Sequence, residues 1–502
     1  MHAQKLRLMK PRWAFGLTFV AAVLVSGSIF YSLVVLLDFK EIDSTTKLNA
    51  KTLFDLVKLS FGVVAGAGAL VALVVAYRRQ RVDEHNAQRE ATKLHSERFS
   101  QAVDKLGSDS PAVRLGGVHA LAGLADDAPT RDLRATCINV LCTYLQLPFT
   151  PDPGEDPSHQ EEHNRYLALR KVRHTILGLI SDHYQRPAGT HRSWQGCDLD
   201  LSDVTIDCSM DLRGAKFSDC TLKFVGATFS GGTVYFGGAK FSREVNFAGA
   251  KFSGGTVFFD GVKFSSYVNF VGASFSGGTV DFVGANFSKA LNFGKATFSG
   301  GTVNFEGATF SVSSGADFGR ATYSGGTVNF SRVLFSNSSV YFGSGTFSGG
   351  TVDFTGATFS GGTADFANSS FSGATVNFDG AIFSSTVNFS GGEDYIGGMG
   401  SVSRVYYDGA TFTDGTVNFT HAEFFDGTVT FARTDDFAGA TFSGTIVDFA
   451  GASFSGATVD FAGAEFTGGT VNFQTSSGTT PNGLIAAVGT PVPEWVRLPD
   501  EW

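Results

Sequence analysis

The sequence predicts an all-β solenoid, because one short phrase, Gly-Gly-Thr-Val-Asp-Phe-x-Gly-Ala-x-Phe-Ser, recurs through more than half of the 502 residues. From Phe229 to Phe298 the spacing between phenylalanines alternates so that the pattern repeats every 23 residues. From Tyr323 to Phe383 the repeat is 12 residues. Periods this short are typical of stacked units that cannot bury a core alone.

Alternation and glycine placement predict that each unit forms two short sides and two corners. Residues two apart point the same way in an extended chain. Val303 and Phe305 are therefore expected inside and Asn304 outside, while Gly307 provides a corner. Two units close one turn, which predicts a four-sided coil with a small residue and a phenylalanine facing inward from each side.

Stacking of such coils aligns the phenylalanine rings into a structural core ladder. The residues predicted to form it are Phe229, Phe236, Phe241, Phe252, Phe259, Phe264, Phe275, Phe282, Phe287, Phe298, Phe305 and Phe310. About 11 coils at roughly 4.8 Å per coil predict a rod on the order of 50 Å long.

The first coils carry a recognisable motif. Asp211-Leu212-Arg213-Gly214, followed by Ala215-Lys216-Phe217-Ser218-Asp219, keeps a strict spacing of five residues. This stretch resembles the pentapeptide-repeat family, whose A-(D/N)-L-x-x motif forms a right-handed quadrilateral β-helix, and the handedness expected here comes from that resemblance. The chain departs from the family pattern because Phe replaces the central Leu and one or two residues are inserted into every second repeat.

The N-terminal region predicts two transmembrane helices. A basic tail (1–12) precedes an uncharged run (13–37), and a short loop (38–58) leads to a second apolar run (59–77) that ends at Arg78-Arg79. Runs of this length can cross a bilayer, and the flanking bases predict that both chain ends are cytoplasmic in a two-span cell-membrane protein, with the loop external. Gly62 and Gly66 form a GxxxG face, interpreted as packing against the first span, with homodimerisation as the alternative.

Between the membrane and the solenoid the sequence predicts helices. Residues 78–147 read as a helical juxtamembrane region with a hairpin similar to HEAT repeats, followed by a linker (148–163) and a helix with its connector (164–193). The solenoid is assigned to 194–473, with Trp194 expected to cover its first coil and 474–502 its last. The juxtamembrane segment also resembles that of membrane-anchored actinobacterial pentapeptide-repeat proteins.

Charge and cysteine content narrow the function classes. The formal net charge is −9, and acidic residues are concentrated in the second half of the repeat region, so direct nucleic-acid binding is not expected. Five cysteines at no metal-binding spacing predict free thiols in a reducing compartment.

No motif predicts a catalytic residue, a metal ligand or a cofactor. His159-Gln160-Glu161-Glu162-His163 matches H-x-x-E-H, but it begins in a linker instead of a stable helix. The repeated Gly-Gly-Thr-Val-Asp-Phe lacks the second glycine of calcium-binding nonapeptides and has the wrong period. The Gly-rich stretch from Ser390 to Val405 interrupts the repeat and is interpreted as a tolerated insertion, with a recognition loop as the alternative.

These observations predict a non-enzymatic, membrane-anchored scaffold that presents a rigid β-helical surface to an unidentified protein partner. The first alternative is a DNA mimic that modulates a type II topoisomerase, since some pentapeptide-repeat proteins are of that kind. The second is an envelope or stress membrane protein that acts through its spans. Homo-oligomerisation is left open.

Overall fold

The structure is a computed structural model that describes residues 24–25, 27–28, 31–32, 35, 50–218, 220–311, 315–390, 392–396, 403–407, 409–433 and 438–502. It divides into two compact units, Met1–Leu94 and His95–Trp502. The second unit contains a helical region followed by a β-solenoid.

The helices begin and end close to the predicted signals. Ser110 precedes a helix with proline in its first turn, but its side chain makes no capping hydrogen bond to that helix. The Thr130 side chain accepts from the Leu133 amide at 3.3 Å, as expected for a capping residue. The last long helix begins at Gln160 instead of the predicted Asn164, because a 3₁₀ turn leads directly into it. The helices are α1 (Ala50–Leu106), α2 (Pro111–Asp126), α3 (Arg131–Gln146), a 3₁₀ turn (Pro157–His159), α4 (Gln160–Gln185) and α5 (Leu484–Val488).

The two predicted transmembrane helices are not supported by the structure. Among the residues that the structure describes, no helix is both long enough and apolar enough to cross a membrane. Most of the predicted first span (13–37) lies outside the described residues, and the second (59–77) is part of α1, which also includes residues assigned to the external loop.

The Gly62–Gly66 face has no partner within the described structure. A Cβ added at either glycine would meet no described atom within 4 Å. The first predicted span, against which these glycines were expected to pack, lies mostly outside the described residues. Helix packing through Gly62 and Gly66 stays a prediction.

The solenoid consists of short strands separated by corners. Its first strands are β1 (Leu199–Asp200), β2 (Thr205–Ile206), β3 (Met210–Asp211), β4 (Lys216–Phe217), β5 (Leu222–Lys223), β6 (Thr228–Phe229), β7 (Thr233–Tyr235), β8 (Lys240–Phe241), β9 (Val245–Asn246), β10 (Lys251–Phe252), β11 (Thr256–Phe258), β12 (Lys263–Phe264), β13 (Val268–Asn269), β14 (Ser274–Phe275), β15 (Thr279–Asp281), β16 (Asn286–Phe287) and β17 (Leu291–Asn292). The next strands are β18 (Thr297–Asn304), β19 (Thr309–Phe310), β20 (Ala316–Asp317), β21 (Thr322–Asn329), β22 (Leu334–Ser336), β23 (Val340–Tyr341), β24 (Thr346–Asp353), β25 (Thr358–Asp365), β26 (Ser370–Asn377) and β27 (Ile382–Asn388). Of these, β18, β21, β24, β25, β26 and β27 are longer and continue around a corner. The remaining strands are β28 (Gly392–Ile396), β29 (Ser403–Tyr407), β30 (Thr411–Asn418), β31 (Glu423–Asp426), β32 (Thr428–Thr430), β33 (Thr441–Phe442), β34 (Ile446–Asp448), β35 (Ser453–Phe454), β36 (Thr458–Asp460), β37 (Glu465–Phe466), β38 (Thr470–Asn472), β39 (Ser477–Gly478) and β40 (Val496–Arg497).

Parallel pairing of equivalent strands in successive coils produces four flat sides and a right-handed solenoid of about 11 turns. Side 1 contains β1, β5, β9, β13, β17, β20, β23, β32, β36 and the later halves of β25 and β27. Side 2 contains β2, β6, β10, β14, β33, β37 and the first halves of β18, β21, β24, β26 and β30. Side 3 contains β3, β7, β11, β15, β34, β38, β40 and the later halves of those five strands. Side 4 contains β4, β8, β12, β16, β19, β22, β31, β35, β39 and the first halves of β25 and β27.

The register confirms the inward alternation that the repeat predicts. On side 3, Val280 pairs with Val303 and Val303 with Val328, so identical side chains face the axis in successive coils. Sides 1 and 3 carry an aliphatic residue inward, whereas sides 2 and 4 carry a phenylalanine within the strand.

The interruption between Ser390 and Val405 contains a hairpin. β28 and β29 pair antiparallel, with Gly392 opposite Tyr407 and Ile396 opposite Ser403. The amide of Ala410 donates to the carbonyl of Phe389 at 2.8 Å, which repeats the corner bond of uninterrupted coils, such as Ala250 to Phe247 at 3.0 Å. The insertion is therefore closed at its base by an ordinary corner.

The last coil is covered by the C-terminal segment. β40 adds to β38 with Val471 opposite Val496, and Leu484 of α5 is fully buried. The Trp502 ring lies 5.5 Å from the Phe473 ring and 5.6 Å from the Phe454 ring. This segment pairs with the final strands and covers their apolar end.

Candidate functional site

The axis of the solenoid is filled by stacked phenylalanine rings. All twelve residues predicted for the core ladder are at most 2 % exposed. They fall into three columns, one each on sides 2, 3 and 4. The ring distances are 4.8 Å for Phe229–Phe252, 4.7 Å for Phe236–Phe259 and 5.2 Å for Phe241–Phe264.

A fourth column is absent from the predicted set. Phe224, Phe247, Phe270 and Phe293 stack at the end of side 1, with ring distances of 4.9, 4.7 and 4.5 Å. These positions follow the same 23-residue period, so the sequence was sufficient to predict this column as well. With four rings in each of these coils, their interior leaves little room for a ligand.

Outward Asn and Asp residues form the corners of sides 1 and 3. The Oδ1 of Asn304 accepts from the Glu306 amide at 3.1 Å, and the Oδ1 of Asp353 accepts from the Thr355 amide at 2.9 Å. An acceptor two residues before the corner amide is what an Asx turn requires. Because either side chain supplies this oxygen, Asn and Asp can alternate at these positions without loss of the corner.

Asparagine adds a bond between coils that aspartate cannot donate. The Nδ2 of Asn329 donates to the Oδ1 of Asn304 at 3.0 Å, and the Nδ2 of Asn472 donates to the Oδ1 of Asp448 at 3.0 Å. Along side 3 these positions are occupied in successive coils by Asp281, Asn304, Asn329, Asp353, Asn377, Asn418, Asp448 and Asn472. No two aspartates are adjacent in that run, so the polar ladder avoids stacked carboxylates.

Helix α4 covers the open end of the first coil. The Tyr184 ring stacks on Phe217 at 5.5 Å, and the Ser181 hydroxyl both donates to the Asp211 carbonyl at 2.8 Å and accepts from its amide at 2.7 Å. These contacts satisfy the open backbone edge of the first coil. That Trp194 also covers this coil stays a prediction, since the contacts described for its ring are with His183 and Asp126.

Trp194 joins the helices to the start of the solenoid. It is fully buried, its Nε1 donates to Asp126 at 3.0 Å, and its ring lies 4.2 Å from the ring of His183. His183 in turn contacts the other oxygen of Asp126 at 3.3 Å. The half-buried Asp126 carboxylate thereby contacts two rings from two segments.

The H-x-x-E-H histidines lie in different elements. His159 ends the 3₁₀ turn, whereas His163 lies in α4 and its Nδ1 is 2.7 Å from Asp152 of the linker. The hydrogen bonds from the Gly154 amide and from His163 hold the pKa of Asp152 below its usual range. His163 therefore ties the linker to α4.

One cluster of metal-ligand types does occur within the described residues, and the sequence analysis missed it. Ligand atoms of His174, Asp207 and Cys208 lie within 4.8 Å of one another. Both oxygens of Asp207 are engaged, however, by His174 Nε2 at 2.7 Å and by Arg170 Nε at 2.6 Å. Burial opposes ionisation of Asp207, but these hydrogen bonds outweigh it and lower its pKa.

The chemistry of this cluster suits an ion-pair clamp. Burial raises the pKa of the Cys208 thiol to about 11, and a protonated thiol is a poor metal ligand. The neighbouring Arg170 guanidinium also repels a cation. The cluster joins α4 to the first coil between β2 and β3.

The five cysteines are all unpaired. Cys137, Cys142, Cys197 and Cys220 are buried, and burial raises the pKa of Cys137 and Cys220 to about 11 and that of Cys142 to about 12. Thiols of this kind are structural and unreactive.

Side 4 has the most varied outward surface of the solenoid. Its outward residues in successive coils are Lys216, Lys240, Lys263, Asn286, Thr309, Leu334, Thr358, Ile382, Glu423, Ser453 and Ser477. Leu334 is 37 % exposed, and Phe425, which lies three coils further on in the strand of Glu423, is 65 % exposed. By contrast, Thr256, Thr279 and Thr302 on side 3 repeat one residue type.

Comparison with known proteins assigns the repeat. Residues 259–309 and 282–334 match the family model described as pentapeptide repeats (9 copies). No curated protein matches the chain. The matched segment lies within the four-sided, Phe-filled solenoid described above. The matched residues are therefore similar to pentapeptide repeats, the family that the first coils also resemble.

Proposed function

We propose that the chain is a non-enzymatic scaffold, anchored to a membrane, whose solenoid binds a protein partner through side 4. The fold is a pentapeptide-repeat solenoid, a repeat-scaffold type consistent with protein interaction. The observation that carries the proposal is the contrast between a uniform, ring-filled interior and a varied side 4. A flat, rigid surface of this kind loses little conformational entropy when it binds a partner.

Side 4 supplies the residue types that binding surfaces use. Exposed apolar groups at Leu334 and Phe425 lie on the same side as three lysines at one end and Glu423 near the other. Interfaces combine apolar anchors with a charged rim. The outward positions of the other three sides are mostly polar, although Tyr235, Phe258 and Ile446 also lie on the outside of side 3.

The test places a photoreactive amino acid at one outward position on side 4, or at one on side 3, of the full-length protein in cells. The matched positions are Thr358 on side 4 and Thr351 on side 3, which lie in consecutive strands β25 and β24. We expect one recurrent protein to be crosslinked from Thr358 and not from Thr351. Equal crosslinking from both sides, or turnover of any substrate by the purified protein, would contradict the proposal.

Membrane anchoring is a separate part of the proposal with separate support. Residues 59–77 contain no charged side chain, and Phe61, Leu73 and Val75 of α1 are 68 %, 69 % and 59 % exposed. Exposed apolar residues in such a run are typical of a segment that contacts lipid or another apolar surface. Arg78 and Arg79 follow it directly, which favours a cytoplasmic position for what comes next.

Fractionation of cells tests the anchor. We expect the native protein to stay in the membrane fraction after alkaline carbonate extraction, and Leu73→Lys to weaken that retention. Leu94→Lys is the matched control, since Leu94 is also exposed but lies beyond the apolar run. Recovery of the native protein in the soluble fraction would contradict membrane anchoring but would not affect the scaffold proposal.

The DNA-mimic alternative gains no support from the surface. A mimic of duplex DNA needs negative charge along its length, whereas Lys216, Lys240 and Lys263 form a positive run on side 4. A type II topoisomerase supercoiling assay with the full-length chain is expected to show no inhibition.

A further inference from the structure

A basic cavity lies where the helical region meets the first coil. Its volume is about 530 Å³, and Arg131, Arg134, Gln195, Gly196 and Lys216 contribute to its walls. None of the described residues that line it is an aspartate or a glutamate. Pockets that bind small molecules have volumes of roughly 300–1,000 Å³, so the cavity is of ligand size.

The two arginines are held in place by neutral acceptors. Arg131 donates to the carbonyl of Gly196. Arg134 donates to the carbonyls of Ala125 at 2.8 Å and Ser193 at 3.1 Å. These bonds orient the guanidinium groups without neutralising them, because a carbonyl carries no net charge. Among the described residues, neither arginine forms an ion pair.

Lys216 adds a third cation and extends the positive charge away from the cavity. Its side chain is exposed and forms no ion pair with any described residue. Lys216 pairs in register with Lys240, and Lys240 with Lys263, so three ammonium groups occupy consecutive coils of side 4. Like charges on adjacent strands destabilise a sheet, and a bound anion would relieve that repulsion.

We propose that this cavity binds a small ligand that carries one or more phosphate groups. Guanidinium groups suit phosphate because they offer parallel N–H donors and a permanent charge, and a lysine complements them as a point charge. Lys216 contributes directly to the site. The phosphate comes either from a soluble metabolite or from a lipid headgroup, and the experiment separates these sources.

The experiment uses purified full-length protein with two probes. Inorganic pyrophosphate is titrated calorimetrically at low salt, and vesicles of phosphatidylcholine with or without phosphatidylglycerol are used in a parallel flotation assay. Lys216→Gln is expected to weaken pyrophosphate binding about tenfold, as for loss of one charge-assisted contact. Lys251→Gln is the matched control, because Lys251 is also exposed but lies on side 2.

Each outcome decides the proposal. Pyrophosphate binding that Lys216→Gln weakens and Lys251→Gln does not would support a soluble ligand. Lipid-dependent flotation with the same variant pattern and no pyrophosphate binding would support a headgroup. Absence of both, or equal effects of the two substitutions, would overturn the site. Because Arg131 and Arg134 also hold the local fold, they are left unchanged in the test.

Discussion

The inside and the outside of the solenoid follow different rules. Inside, one ring type is stacked from Phe224 to the last coils, with Tyr323 as a substitute in one column. Outside, the residue type depends on the side: Asn or Asp where a corner needs an acceptor, Thr on side 3, and a varied set on side 4. The comparison teaches that the interior determines the fold, whereas the exterior is constrained only where it supports a corner or a cover.

The largest effect is expected for loss of one interior ring. Phe282→Ala should lower the free energy of unfolding by about 3–5 kcal/mol, because it removes a fully buried ring and leaves a cavity in the column. The outward Phe258, which stacks on Tyr235 at 5.4 Å, is the matched control. Phe258→Ala should cost less than about 1 kcal/mol. Equal shifts of the two urea midpoints would contradict the distinction between interior and exterior.

A smaller loss of stability is expected for Asp207, which binds α4 to the first coil. Asp207→Asn should cost about 1.5 kcal/mol, because it weakens charge-assisted bonds from Arg170 and His174. The folded-state pKa of Asp207 is lowered, so its contribution is present above about pH 4, the ordinary range of an aspartate, and is lost as the pH falls through the folded value. Denaturant titrations of both proteins at several pH values should therefore show the difference shrinking in acid.

The polar ladder should contribute about 1 kcal/mol per position. Asn329→Ala removes the acceptor for the Ser331 amide and the donor to Asn304. Asn329→Asp keeps the acceptor but places a carboxylate in register with Asp353. Because adjacent carboxylates raise each other's pKa, the Asp variant should be destabilised at neutral pH and recover towards the native value in acid. A pH-independent loss in Asn329→Asp would refute this account of the Asn and Asp alternation.

The smallest predicted effect is a gain in stability instead of a loss. Lys240→Gln separates Lys216 from Lys263 and should stabilise the protein by a few tenths of a kcal/mol at low salt. Added salt screens exposed charges, so the gain should vanish at high ionic strength. Thermal unfolding at two salt concentrations, with Lys251→Gln in parallel, measures it.

The sequence alone predicted the solenoid because the Phe period fixes which residues stack. The lysine column on side 4 could also have been predicted, since Lys216, Lys240 and Lys263 recur at nearly the coil period. The sequence could not predict which ring covers the first coil, because Tyr184 reaches Phe217 from a helix whose docking angle no local pattern specifies. The Arg170–His174–Asp207 clamp was missed for the same reason: it joins a helix face to a corner distant in the chain.

The hairpin insertion has a consequence for protein design. The corner bond from Ala410 to Phe389 is made although a hairpin separates the two residues, and Ala440 donates to Phe431 at 2.9 Å across a second, shorter excursion at the same corner of the next coil. The rings of Phe366, Phe389 and Phe431 remain stacked at 4.9 and 4.7 Å. We therefore expect this corner to accept inserted residues: a foreign peptide grafted between Phe342 and Gly345, the equivalent corner of an uninterrupted coil, should leave the ring stack intact.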